Sequence, residues 1–229
     1  MDKPKTGLVL HSGGLDSTTV LAQALRQCDR VETISFLYGQ SHHREVEVAR
    51  VIANHYGVSQ TVIIVPNVFT GTGSTLMDGI PQPHLSYEEL RASEGPSPTY
   101  VPYRNGTLLS LATALALTKD LHWVYFGAHA DDAHNYAYPD CTPPFIEAMK
   151  NAIYVGSYEK VELLAPFMDS TKADIVRVGA TLKVPFELTY SCYEGGEVHC
   201  GECPTCVSRI EAFAQAGIED PTEYLRRIG

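Results

Sequence analysis

Thr6-Gly7-Leu8-Val9-Leu10-His11-Ser12-Gly13-Gly14-Leu15-Asp16-Ser17-Thr18 decides the fold. Thr6 to Leu10 is a short apolar run that stops at a polar, glycine-rich turn. From Asp16 onward Val20, Leu21, Ala24, Leu25 and Cys28 recur at helical spacing. Strand, tight turn and helix in that order form the unit of a parallel α/β sheet. The turn then lies at the carboxyl end of a strand, where open α/β sheets bind ligands. Gly13 and Gly14 remove two Cβ atoms, so backbone N–H groups can approach an anion. Ser12, Ser17 and Thr18 add hydroxyls, and the helix points its positive end at the same spot. His11, Leu15 and Thr19 complete the candidate anion loop. Asp16 reads either as a helix cap or as a Mg²⁺ ligand. The string is neither Gly-x-Gly-x-x-Gly nor the lysine-bearing P-loop.

The alternation continues outward. Val31 to Tyr38 is β-branched and aromatic and ends at Gly39. Val48, Val51, Ile52 and Tyr56 mark a second helix, with Gly57 as its stop. Thr61 to Val65 is a third strand, and Trp123 to Phe126 a fourth. Val161 to Leu164 is a fifth, and Thr171 to Leu182 a further helix. Asn105 stands as the cap of a helix that is apolar nearly all round, which predicts burial. The pattern predicts an α/β fold, a Rossmann-like doubly wound parallel sheet. Asn67 to Tyr103 shows no periodicity and reads as a functional or partly disordered loop.

The chain has 229 residues and 44% hydrophobic content, enough for one sizeable core. Its 17 basic and 27 acidic side chains give a net charge of −10, which lacks the basic footprint a long nucleic acid needs. The opening run before His11 is too short for a signal peptide, and Leu108 to Leu117 is too short to span a bilayer. A cytoplasmic protein with neither nucleic acid nor membrane as partner is expected. Cys192, Cys200, Cys203 and Cys206 read C-x7-C-x2-C-x2-C, the donor set of a closed tetrahedral zinc site. Disulfides and an iron–sulfur cluster are the alternatives, the latter because of the close spacings and the proline after Cys203. The expected organisation is an ATP-binding α/β domain over 1–190. A small C-terminal zinc-binding appendage over 191–229 follows, its helices packed on the first part. Cys28 and Cys141 read as packing.

Ser12 to Thr18 resembles the Ser-Gly-Gly-x-Asp-Ser signature of the ATP pyrophosphatase, or PP-loop, superfamily. Four further segments narrow the resemblance: Tyr38-Gly39-Gln40-Ser41-His42, Thr99 to Asn105, Tyr136 to Cys141 after Gly127-Ala128-His129, and Ser170 to Ile175. With Ser191 to Gly196 and the cysteines, the ordered set is similar to the 7-cyano-7-deazaguanine synthase (QueC) family over nearly the whole chain. The resemblance implies an adenine-nucleotide α-hydrolase-like fold, one structural Zn²⁺ per chain, ATP with Mg²⁺ as co-substrate, and a homodimer. It implies 7-carboxy-7-deazaguanine and ammonia as the other substrates, queuosine or related deazaguanine synthesis as the context, and a nitrile as product. Two departures, His11 and the charge-rich Gly127 to Asn135, leave room for a relative that uses another small carboxylate or stops at the amide.

Individual roles follow from residue chemistry. Lys172, at a helix start, reads as a phosphate-neutralising catalytic cation or as a solvated surface lysine. Arg104 reads as an anion clamp with a catalytic and substrate-binding role. Asn105 contacts a ligand or caps its helix. Asp140 accepts N–H bonds from a guanine-like edge or forms a turn. His42, His43 and His129 each orient ammonia or a proton, or pack as ordinary histidines. The competing classes are another adenylating ligase on this fold, a tRNA-modifying enzyme with a basic face, and a zinc-bearing module that only senses ATP.

Overall fold

The computed structural model describes residues 5–40, 44–77 and 79–226. In chain order it contains β1 (Thr6–Leu10), α1 (Leu15–Gln27), β2 (Arg30–Leu37), α2 (Arg44–His55), β3 (Ser59–Ile64), α3 (Tyr87–Ala92), α4 (Arg104–Thr118) and β4 (Trp123–Tyr125). There follow α5 (Ala130–Ala133), α6 (Pro143–Gly156), β5 (Glu162–Leu164), α7 (Lys172–Thr181) and α8 (Pro204–Ala216). The strands form one sheet in the order β3-β2-β1-β4-β5, each neighbouring pair parallel. Strand order reverses beside β1, so the loops after β1 and β4 diverge and leave a crevice at their carboxyl ends.

Period-2 alternation divides the core into two layers. Leu8, Leu10, Ile34, Phe36, Val124 and Leu163 pack against Leu109 and Ala112 of α4 and Ile146 and Met149 of α6. On the other face Val9, Val31 and Tyr125 pack against Val20 and Leu21 of α1, Ile52 of α2 and Ile175 of α7. Each such fully buried side chain contributes roughly 1.5–3 kcal/mol. The parallel sheet covered on both faces is the expected fold.

Three features differ from expectation. Helix α4 buries one stripe, Leu108, Leu109, Ala112 and Ala116, and leaves Leu117 exposed. Leu111 and Leu115 flank that stripe and pack against the same core, while the opposite side carries Ser110, Ala114 and Thr118. Asn105 is not its cap: the cap position is Tyr103, in the left-handed region at φ 56°, and Asn105 lies inside the first turn. Helix α6 is not predicted by the strand–helix alternation, although Thr142, the paired prolines and Ile146, Met149 and Ile153 carry a helical start and stripe. No helix among the described residues is long and apolar enough to cross a membrane.

The segment after Tyr190 joins the main core. Ala212 and Phe213 of α8 belong to the α1–α7 layer, and Phe213 meets Phe186 edge-on at 5.1 Å. Arg209 is fully buried, donating to Asp220 at 3.1 Å, Thr189 at 2.6 Å and the Phe186 carbonyl at 3.1 Å. Burial alone would raise the Asp220 carboxyl, but Arg209 and the Tyr224 hydroxyl hold it below its ordinary value. Its contribution is complete above the unfolded carboxylate value of about 3.9 and is lost as pH falls through the lowered folded value. Asp220→Ala strands a buried guanidinium and is expected to cost about 3–5 kcal/mol in a urea titration at pH 7. A cost below 1 kcal/mol would show that Thr189 and Phe186 suffice for Arg209.

Candidate active site

A cavity of about 580 Å³ opens at the carboxyl ends of β1 and β4, within the roughly 300–1,000 Å³ usual for small-molecule sites. Ser12 and Gly14 of the glycine loop form one wall, Arg104 and Asn105 of α4 another, and Lys172 and Tyr193 close it. Leu76, Pro83, Tyr87 and 93–98, all within the aperiodic Asn67 to Tyr103 segment, form a further wall.

The loop is braced from within. The Ser12 N–H donates to Ser17 Oγ at 3.2 Å, and the Ser12 and Ser17 hydroxyls meet at 3.1 Å. Thr18 Oγ donates to the Gly14 carbonyl at 2.7 Å, and Thr19 Oγ to the Leu15 carbonyl at 3.0 Å. Among the described residues no side chain caps α1 at Gly14. Its first-turn N–H groups therefore face the cavity without an intrahelical acceptor, as an anion site requires. The two glycines do different work. Gly14 has φ −76°, and a Cβ there would stand 3.3 Å from Ser12 Oγ on the cavity side. Gly13 has φ +82°, and a Cβ there would meet the Ala49 nitrogen at 2.8 Å and the Glu45 carbonyl at 3.0 Å. Gly13 thus makes room for α2, not for the anion.

Beside the loop lies a buried charge cluster. Lys172 Nζ is 3.2 Å from Asp16 Oδ2, and His129 Nε2 lies 3.8 Å from Asp16 and 3.4 Å from Asp132. Burial would raise Asp16, but Lys172 and then His129 outweigh it and hold the carboxylate ionised. Burial would lower Lys172, but Asp16 and Asp132 keep it protonated. A capping box of Thr171 and Asp174 starts α7 and fixes Lys172, whose N–H donates to Asp131 at 2.8 Å. Asp16 Oδ1 is buried and, among the described residues, has no hydrogen-bond partner, an oxygen suited to a hard cation. His11 touches Thr18 at 3.2 Å, and burial lowers it to about 3, so it is neutral near pH 7.

At the far side Arg104 donates to Tyr38 at 3.1 Å and to Asn105 Oδ1 at 3.2 Å. Burial would lower its pKa, but the Tyr38, Tyr193 and Asp140 groups more than compensate, so the guanidinium is charged. Asp140 is buried off the cavity wall and accepts the Asn105 N–H at 2.9 Å. It caps α4 from a neighbouring turn, which is the role the sequence gave to Asn105. The Asn105 amide instead reaches Cys141 Sγ at 3.2 Å, and burial pushes that thiol well above its ordinary value.

The sulfurs of Cys192, Cys200, Cys203 and Cys206 lie within 4.8 Å of one another. Tetrahedral ligation at about 2.3 Å sets sulfurs about 3.8 Å apart, so the four can close on one metal ion with little movement. The N–H groups of Glu202 and Cys203 point at Cys200 Sγ, 3.4 and 3.2 Å away. Gly201, at φ +84°, is required there, since a Cβ would lie 1.5 Å from the Arg226 carbonyl oxygen.

The folded chain thus brings His11, Ser12, Gly14, Leu15, Asp16, Ser17, Arg104, Asn105, His129 and Lys172 to one cavity. Gly13, Thr18 and Thr19 lie behind the loop, and Asp140 behind α4. His42 and His43 fall outside the described residues. Sequence reasoning missed Glu45, which lines the cavity from the first turn of α2. Its only signal was an acidic residue close after the Tyr38-Gly39-Gln40 strand end. The glycine geometry makes two separable expectations. Gly13→Ala should lower stability by about 1–3 kcal/mol through the collision with α2. Gly14→Ala should leave the melting temperature near that of the parent and weaken ATP binding at least about tenfold by calorimetry. Equal stability losses in both variants would refute this division.

Comparison with known proteins bears on what this cavity serves. The family model described as queuosine biosynthesis protein QueC matches residues 6–217. A protein of Marinomonas sp. named 7-cyano-7-deazaguanine synthase is 38% identical over 95% of this chain and 97% of its own length. One of the same name from Thermoplasma volcanium is 42% identical over 96% of this chain and 91% of its own. Among solved structures, a U34-tRNA thiolase from Methanococcus maripaludis aligns with a TM-score of 0.50 at 14% identity, over 94% of this chain and 68% of that one. An NMN synthetase from Francisella tularensis gives 0.50 at 12% identity, over 94% and 79%. These two share the fold alone. With the model and the relatives spanning nearly its whole length, the chain belongs to the queuosine biosynthesis protein QueC family and is, like its members, a carbon–nitrogen ligase.

Proposed function

We propose that the protein converts 7-carboxy-7-deazaguanine and ammonia to 7-cyano-7-deazaguanine, consuming two ATP. One observation carries the reading: the uncapped start of α1 and the Arg104 guanidinium open onto the same cavity. One anion site suits pyrophosphate, and the other suits a carboxylate or phosphate.

Neither oxide nor hydroxide leaves readily, so each carboxylate oxygen must become part of a good leaving group. The carboxylate oxygen attacks the α-phosphorus of ATP; the bond to the β-phosphate oxygen breaks, and pyrophosphate departs. Ammonia attacks the acyl carbon, loses a proton, and AMP leaves with one oxygen, giving the amide. The amide oxygen attacks the α-phosphorus of a second ATP, and pyrophosphate departs again. Loss of AMP and the remaining nitrogen protons gives the nitrile. Both activations build charge on the same pyrophosphate, where Ser12, Ser17, the α1 amides and Lys172 stand ready. Arg104 orients the carboxylate. Asp16, through its unpartnered oxygen, is the residue to hold Mg²⁺, which neutralises phosphate charge. No enzyme nucleophile is required, in keeping with the protonated, buried Cys141.

The four cysteines hold Zn²⁺ in a structural site, with no ligand position left open for chemistry. A homodimer is part of the same reading, and a cytoplasmic setting suits reduced thiols.

Starting from a carboxylate labelled with heavy oxygen, label is expected in AMP, two ATP are expected per nitrile, and an amide should appear transiently by mass spectrometry. Label in inorganic phosphate with ADP as co-product overturns α-phosphorus activation, and an amide that only accumulates replaces the nitrile as product. Purified protein is expected to carry about one zinc per chain by elemental analysis, and Cys203→Ser to lose the metal and unfold or aggregate. Iron with sulfide in the preparation would replace the zinc assignment.

A further inference from the structure

Five carboxylates stand on the cavity wall: Asp16, Glu45, Glu94, Asp131 and Asp132. Asp16 is engaged by Lys172, Asp131 by the Lys172 N–H, and Asp132 by His129. Glu94 is exposed at the rim. Glu45 differs from all of these. Its backbone carbonyl abuts Gly13, so the loop fixes its position beside the anion site. Its carboxylate is partly buried and, among the described residues, forms no hydrogen bond or ion pair.

The groups that feel Glu45 are Arg104, Tyr38 and Tyr193. All three line the same cavity. Glu45 and Arg104 line one enclosure and, among the described residues, do not close into an ion pair. A ligand that fits between them presents an anion to Arg104 and N–H donors to Glu45, with the tyrosine rings as flanking surfaces. A 2-amino-pyrimidin-4-one ring bearing a carboxylate has both. Its ring N–H and exocyclic amine lie side by side on one edge, and a carboxylate's two oxygens match that pair.

We propose that Glu45 accepts the two N–H donors of the substrate's 2-amino-pyrimidinone edge and so makes the cavity selective for a guanine-type ring. This inference rests on the proposed function and goes beyond it by locating the ring-reading group. Burial pushes the Glu45 carboxyl up to about 7, with Arg104 opposing, and two N–H donors would favour its ionised form. The assignment differs from Asp140, which lies off the cavity wall and there accepts the Asn105 N–H.

The test compares 7-carboxy-7-deazaguanine with its analogue lacking the exocyclic amine, by calorimetry on the full chain. The parent protein is expected to prefer the amino form by about 10- to 100-fold, the value of a charge-assisted hydrogen bond. Glu45→Gln should reduce that preference to within about threefold, while ATP affinity and melting temperature stay near parental values. Glu45→Ala should do the same, and the Gln variant guards against a folding defect in it. A preference that survives Glu45→Gln overturns the role of Glu45 alone. Failure of the parent protein to bind either ring overturns the proposed function, and this inference with it.

Discussion

Gly13 passes the first turns of α2 with no room for a Cβ, and its carbonyl accepts the Tyr190 N–H at 3.0 Å. That double contact clamps the loop after β1 between α2 on one side and the start of the cysteine segment on the other. The consequences spread through the cavity. The uncapped first turn of α1 is held facing inward, Glu45 is set next to it, and Tyr193 is brought across the opening. A strained backbone and a close approach are tolerated here because the sheet and α8 over-determine the position.

Charge is segregated inside this cavity. Near the loop, Asp16 and Asp132 keep the Lys172 ammonium protonated despite burial, and His129 bridges the same two carboxylates. Farther away, Arg104 is positioned by Tyr38 and by the Asn105 amide, on a helix whose start is capped by Asp140. A chain of net charge −10 can therefore hold anionic ligands, because the field that matters is local and enclosed.

The cysteine segment is more than an attachment to the α/β core. Arg209 and Phe213 lie in the same layer as α1 and α7, and Tyr190 and Tyr193 on its entry line the cavity. The cysteine segment is thus tied to the glycine loop through the Tyr190 N–H, which donates to the Gly13 carbonyl.

The sequence by itself determined the parallel sheet, the glycine turn at the end of its first strand and the clustering of four cysteines. Each rests on contiguous residues: period-2 and period-3.6 apolar patterns, a glycine turn at a strand end, and cysteines close enough to fold onto one ion. The tertiary structure decided matters that depend on residues far apart in the chain. It gave Gly13 to helix packing and Gly14 to the cavity, because the collision that distinguishes them comes from Ala49 and Glu45. It moved the cap of α4 from Asn105 to Asp140, 35 residues on, which no local spacing encodes. It turned an aperiodic segment into a cavity wall, and it singled out Glu45, since whether a carboxylate has a partner is known only once every neighbour is placed. Local geometry is written in the covalent neighbourhood, whereas burial and pairing are properties of the packed whole.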